Sequence, residues 1–238
     1  MASKRLPGKV LMDIAGTPLL RRLCNRMRLC RRADEVVIAT SDQPQDRAIA
    51  DACAAWGFHV FRGPEQDLTS RLLGAARAHD LTFFVRVTAD NPLTDPQGID
   101  ALIDALQKRC ANMKKSVLVH NMHAKGYPYG TGAEAAHRGV LEICDRDLTR
   151  SCDREYFALY VKTHPEQFDC VKIDAPPQLV RPGYFLTVDH PVDLELMRAI
   201  YAGVPGEDEI CLQEVIRFLD ANPELAKRNS NLHQEFAA

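Results

Sequence analysis

Residues 34–40 carry Val36, Val37 and Ile38 as an unbroken apolar run. A strand that is apolar on consecutive positions is buried on both faces, and such strands belong to parallel sheets covered by helices on either side. The rest of the first half meets that requirement. Residues 17–32 place Leu19, Leu20, Leu23, Met27 and Cys30 on one helical face, opposite an arginine-rich face expected to lie in solvent. Residues 44–56 predict a helix with Ile49, Cys53 and Trp56 inward, ended by Gly57. A short strand at 58–61, a helix at 66–79 and a strand at 81–87 follow. Pro96 then opens a helix bearing Ile99, Leu102, Ile103 and Leu106. Strand and helix alternating in this way predict an α/β domain with a mostly parallel sheet, whose ligands bind beyond the carboxyl ends of the strands.

The second half is less regular. Strands are expected at 116–120 and 168–173, and a short one at 185–188 that ends at Asp189. Residues 121–136 read as loop, with Tyr127, Tyr129 and three glycines; 137–147 and 151–163 read as helices. Pro191 opens another helix, Leu212, Val215, Ile216 and Leu219 mark the last, and the tail from Lys227 is polar. Nothing repeats and no linker interrupts the chain. Residues 1–238 are therefore expected to form a single domain, with an inserted lid or dimerisation segment at about 120–180.

Composition removes several function classes. A net charge of −2 does not suit a molecule built to coat nucleic acid or a membrane surface. No apolar run reaches transmembrane length and no signal peptide precedes the first loop. The eight cysteines are scattered without a Cys-x-x-Cys pair, which suits buried thiols in a reducing, cytoplasmic setting. His120, His123 and His137 do not have metal-site spacing. Asp145-Arg146-Asp147 ends a probable surface helix and reads as solvated charge.

Two features point to chemistry. The first is Ser3-Lys4-Arg5-Leu6-Pro7-Gly8-Lys9, a turn that gathers three cations. Pro7 and Gly8 shape the loop, Arg offers a planar fork and Lys a point charge, a combination suited to a polyphosphate. The second is a strand–Asp–x–Pro pattern that occurs twice, at Asp90 and Asp189. Each aspartate alone could simply cap the helix that follows. Two of them at one sheet edge could share a hard divalent cation such as magnesium, which takes one or two carboxylates and completes its shell with phosphate and water.

The stretch from Ser3 to Leu11, followed by Asp13-Ile-Ala-Gly-Thr-Pro-Leu19, resembles the opening of the sugar cytidylyltransferases, a family that includes the 3-deoxy-manno-octulosonate and acylneuraminate enzymes. The spore-coat polysaccharide branch is the most similar. Val37-Ile-Ala-Thr-Ser-Asp42, Val60-Phe-Arg-Gly63, Arg86-Val-Thr-Ala-Asp90-x-Pro-Leu-x-Asp-Pro96 and Thr187-Val-Asp189-x-Pro-x-Asp-Leu194 fall in the family's order.

The resemblance implies a three-layer Rossmann-like nucleotidyltransferase fold, acting as a homodimer in the cytoplasm. It implies a magnesium-dependent attack by an acidic sugar's hydroxyl on the α-phosphorus of CTP, in surface polysaccharide synthesis. Lys9, Arg5, Ser3, Arg71 and Asp90 would bind the nucleotide, and Asp90 and Asp189 the metal. Lys9, Arg5, Asp90 and Asp189 would carry the catalysis, and Tyr127 and Glu134 would meet the acceptor. The family also begins with an apolar strand and an Ala-Arg step ahead of this loop. That strand is expected to be missing here, through a start placed at an internal Met or a truncation. Ala89 stands for a usual Gly, His190 for a usual Thr, and Tyr129 and Gly132 where acids are common. A nucleotide-sugar-dependent glycosyltransferase and an inactive truncated homologue are the competing readings.

Overall fold

The computed structural model describes residues 3, 5–122 and 126–233. Lys4 and His123 lie outside the described residues. Pro7 and Gly8 lead into a 3-10 turn, Lys9–Leu11, and a tiny hairpin of β1 (Asp13–Ile14) and β2 (Thr17–Pro18). Then come α1 (Leu19–Met27), β3 (Val37–Ser41), α2 (Arg47–Ala55), β4 (His59–Gly63), α3 (Leu68–Ala78), β5 (Phe83–Arg86) and α4 (Pro96–Cys110). The second half holds β6 (Ser116–His120), β7 (Glu134–His137), α5 (Gly139–Asp147), α6 (Ser151–Glu155), α7 (Phe157–Thr163), β8 (Phe168–Lys172), α8 (Pro191–Gly203), α9 (Leu212–Ala221) and α10 (Pro223–Ala226).

The layers follow from the two-residue period of a strand. On β6 and β7, Val117, Val119 and Ala135 face a core shared with Leu20 and Leu23 of α1, Ile49 and Cys53 of α2, and Leu102 and Leu106 of α4. Leu118 and Ala136 face the other way, onto Leu73 of α3, Leu141 of α5 and Val161 of α7. Helices therefore cover both faces, giving the three layers. A third core, around α8 and α9, takes Ile14, Leu93, Leu186 and Val188.

The sheet lies in two parts. β3 pairs with β4 in parallel, and the other strands run in the order β5-β7-β6-β8. Within the second part β7 alone is reversed, antiparallel to both neighbours, so three of its four strands share one direction. Ile38 of β3 and Val85 of β5 line the same apolar cluster, yet among the described residues no ladder joins these strands. No described strand fills the place of the expected first one.

Several expectations need correction. β7 was read as loop running into helix. Its Ala-Ala pair has weak strand preference, and its place between β5 and β6 makes it a strand. Residues 185–188 form no ladder: Phe185 makes a single bridge with Tyr129, and Val188 N–H donates to the Asp90 carbonyl at 2.9 Å. The arginine face of α1 is not wholly solvated. Arg26 is 1 % exposed and donates to the carbonyls of Thr94, Asp208 and Ile210, while buried Arg22 reaches Asp208. The polar tail also contributes to the interior, since Asn229 and His233 are fully buried. Of the eight thiols, Cys24, Cys53 and Cys144 are buried as expected, four are half-buried and Cys152 is exposed; burial pushes Cys24 and Cys144 up to about 12.

Gly130 shows how tightly the 127–132 loop is set against the 185–189 segment. Its φ is +90°, and a Cβ there would stand 2.5 Å from the Thr187 nitrogen. Gly130→Ala is expected to cost roughly 3 kcal/mol, from backbone strain and overpacking together. Urea unfolding measures it, and a loss below about 1 kcal/mol would mean the two segments part freely, contrary to the packing described.

Candidate active site

The two halves of the chain meet at the carboxyl end of β5. Gly8 takes a left-handed backbone (φ 71°), which turns Lys9 inward at the start of its 3-10 turn. Lys9 is buried, and its ammonium donates three hydrogen bonds: to Asp90 Oδ2 at 2.8 Å, to Asp189 Oδ1 at 2.9 Å and to the Val188 carbonyl at 2.8 Å. Arg5 adds a second cation, with Nη2 2.8 Å from Asp189 Oδ1. Half of the Arg5 side chain stays exposed (47 %), so it can turn toward a ligand. Asp90 follows β5, Asp189 precedes α8, and the bond from Val188 N–H to the Asp90 carbonyl fixes one loop to the other.

The charges explain the titration of Asp189. Burial acts to raise its carboxyl, but the Lys9 hydrogen bond and the charges of Lys9 and Arg5 outweigh burial and hold it below the usual carboxylate range. Both aspartates direct an oxygen at one cation, so together they form an open, hard-oxygen set. Among the described residues no group of three or more His, Cys, Asp or Glu stands together as a metal site. A closed metal cage is thus absent there. Two carboxylates sharing a cation nevertheless fit magnesium, whose remaining ligands are normally phosphate oxygens and water.

The other expected site residues are placed differently. Ser3 Oγ accepts from Leu6 N–H at 3.2 Å and braces the loop. Arg71 is not drawn into the aspartate pair. Its Nη1 holds the carbonyls of Pro64 and Glu65, and its buried Nε has no hydrogen-bond partner among the described residues. The Tyr127 ring packs on the α8–α9 core, and burial raises its phenol. Glu134 is not open to solvent: it is 3 % exposed and accepts from Arg86 Nε at 2.9 Å. Arg86 and Glu134 face each other across β5 and β7, and His120 faces Glu134 across β6 and β7.

Sequence reasoning missed Arg86 as a site residue, although it lies in a quoted motif at a strand's carboxyl end. Asp193 was also passed over. It is fully buried, and its Oδ2 accepts from the backbone N–H groups of Asp189 and His190 at 2.8 and 2.7 Å. Its spacing from His190, three residues into α8, is that of a reciprocal helix cap and could have been found.

Known proteins resemble this chain in fold and in sequence. A solved cytidylyltransferase from Leptospira borgpetersenii serovar Hardjo-bovis superposes with a TM-score of 0.86 at 25 % identity, over 95 % of this chain and 92 % of that one. The structure of CMP:2-keto-3-deoxy-manno-octonic acid synthetase complexed with CTP shares the fold, with a TM-score of 0.61 at 18 % identity, over 84 % and 94 % of the two chains. In sequence, the chain is 30 % identical to the spore coat polysaccharide biosynthesis protein SpsF of Bacillus subtilis, over 95 % of this chain and 93 % of that protein. It is 36 % identical to the 3-deoxy-manno-octulosonate cytidylyltransferase of Anaeromyxobacter sp. (strain K), over 44 % and 43 % of the two. No helix among the described residues is long and apolar enough to cross a membrane. The cytidylyltransferase family model matches residues 1–205, taking in Lys9, Asp90 and Asp189 in one match, and the chain belongs to that family.

Proposed function

We propose that the protein transfers CMP from CTP to a hydroxyl of an acidic sugar, releasing pyrophosphate, in the synthesis of a surface polysaccharide. The observation that carries this reading is the Lys9 ammonium set between Asp90 and Asp189. The new bond joins the sugar oxygen to the α-phosphorus, the hydroxyl gives up its proton to solvent, and the bond from that phosphorus to the β-phosphate oxygen breaks to release pyrophosphate. Little covalent work falls to a protein in such a transfer, so neutralising the leaving group and holding the reactants in line supply most of the effect. Lys9 and Arg5 supply positive charge to the triphosphate, and Asp90 and Asp189 would hold magnesium. Magnesium, when bound, offsets phosphate charge and orients the phosphoryl oxygens.

The sugar class is supported by the named activities of two relatives, a spore-coat polysaccharide protein and an octulosonate cytidylyltransferase. Arg86, beside buried Glu134, offers a cation for an acceptor carboxylate, and Tyr127 lies in the stretch that runs into β7. Self-association as a homodimer is part of the reading. Tyr156 and Leu159, 69 % and 64 % exposed at α6 and α7, are the outward apolar side chains it would use.

Pyrophosphate release from CTP, with magnesium and a panel of acidic sugars, tests the proposal. Release that depends on both the metal and one acidic sugar is the expected result. Sugar transfer from a preformed nucleotide sugar, with no pyrophosphate, would overturn it, as would absence of CTP binding.

A further inference from the structure

The buried carboxylate of Asp193 is held from two directions. On one side Oδ2 accepts from the N–H groups of Asp189 and His190. On the other, Oδ1 accepts from Asn229 Nδ2 at 2.8 Å and faces His233 Nε2 at 3.1 Å. An ionised carboxylate only accepts, so Nε2 is the ring nitrogen that carries the proton. Asn229 Nδ2 also donates to the Phe185 carbonyl at 2.9 Å, and the His233 ring stacks on Phe185 with centroids 5.3 Å apart and planes 18° apart. His233 further meets the edge of His190 at 5.9 Å. Asp193, Asn229 and His233 are all fully buried. The segment after α10 thus grips both ends of residues 185–190, the stretch that presents the Val188 carbonyl and the Asp189 carboxylate to Lys9.

A helix cap alone does not need this arrangement. The two backbone donors already satisfy one oxygen of Asp193, and a solvent-facing cap would leave the other to water. Here the second oxygen is closed off by two side chains from some 40 residues further along the chain. A carboxylate with four donors in a dry site is rigid, and its rigidity passes through the Asp189 N–H to the residue that faces the cation.

We propose that Asn229 and His233, acting through Asp193, are positioning residues for Asp189, so that the C-terminal segment sets the affinity of the active site for the metal–nucleotide pair. The inference rests on the reading of Asp189 as a metal-holding carboxylate. Outer partners of this kind change metal affinity or activity by about 10- to 100-fold when removed.

The test uses Mn2+, which takes the same oxygen ligands as magnesium, with the ternary complex of protein, Mn2+ and CTP followed by water proton relaxation. The full chain is compared with His233→Ala, His233→Gln and His233→Asn. The Gln amide nitrogen reaches the place of Nε2 and can donate to Asp193, whereas the Asn nitrogen reaches only the place of Nδ1. The expected result is a dissociation constant raised about tenfold in His233→Ala and His233→Asn, and restored to within about threefold by His233→Gln. Equal affinity in all four proteins, whatever their melting temperatures, would overturn the proposal and leave His233 a core residue. If His233→Ala does not fold, the contrast between Gln and Asn decides: equal affinity in those two overturns it. Absence of a ternary complex in the unsubstituted protein would instead remove the metal reading itself, a separate failure seen before any variant is made.

Discussion

Lys9→Met is expected to lower CTP turnover by about a thousandfold, the scale seen when one preorganised donor is taken from a developing charge. The methylene stem keeps its packing while the ammonium goes. Lys9→Arg should not restore activity, because a planar fork cannot occupy a point shared by two carboxylates and a carbonyl. Stability should fall as well. The Lys9 and Asp189 side chains are 11 % and 13 % exposed, and breaking a buried pair by removing one partner costs about 3 kcal/mol. The pH dependence has a definite sign. The folded Asp189 carboxyl lies below its usual range, so its contribution to stability is present above the unfolded value and is lost as pH falls through the folded one. Lys9→Met removes the largest cause of that depression. The stability gap between the two proteins should therefore be widest near neutrality and close in acid. Urea unfolding at pH 7 and at about pH 3 measures it, bracketing the ordinary carboxylate range. Turnover within tenfold of the unsubstituted protein, or a gap that widens in acid, would mean Lys9 is not the cation that Asp189 depends on.

How much of this was legible in the sequence depends on where the determining contacts lie. Val36 to Ile38 and residues 83–85 announced strands because both faces of each are apolar, although the structure leaves these residues only half-buried, and the helices between them followed from their spacing. Lys9, Asp90 and Asp189 were legible because each follows a local signal: a Pro-Gly turn, or an apolar run that leads to an Asp before a Pro. What the sequence concealed was set by residues far away in the chain. Arg26 looked like solvent-facing charge, and it is buried because carbonyls from Thr94, Asp208 and Ile210 converge on it. Glu134 falls in a stretch that reads as loop, and β7 brings it opposite Arg86. The tail from Lys227 shows only its polarity. Asn229 and His233 are interior because a buried carboxylate at position 193 supplies their partner, and no local pattern records that.

The second large effect separates charge from shape at the same centre. Asp189→Asn retains the side-chain outline and an oxygen that can accept from Lys9, so the fold should lose the charge contribution of Asp189 but less than it loses in Lys9→Met. It removes the negative charge facing Lys9 and Arg5, and turnover should fall by about a hundredfold to a thousandfold. The informative protein is the double variant Lys9→Met with Asp189→Asn. Lys9→Met alone leaves two carboxylates, Asp90 and Asp189, side by side, with the half-exposed Arg5 still on Asp189. Removing one of those charges relieves the repulsion. The double variant is thus expected to be more stable than Lys9→Met alone, with a coupling energy of about 1–3 kcal/mol, while remaining as inactive as either single variant. Restored stability without restored turnover means that Lys9 and Asp189 compensate one another in the fold but are required separately by the reaction. Strictly additive losses in stability would show that the two groups do not share a charge, and the pairing on which the catalytic reading rests would fall with them.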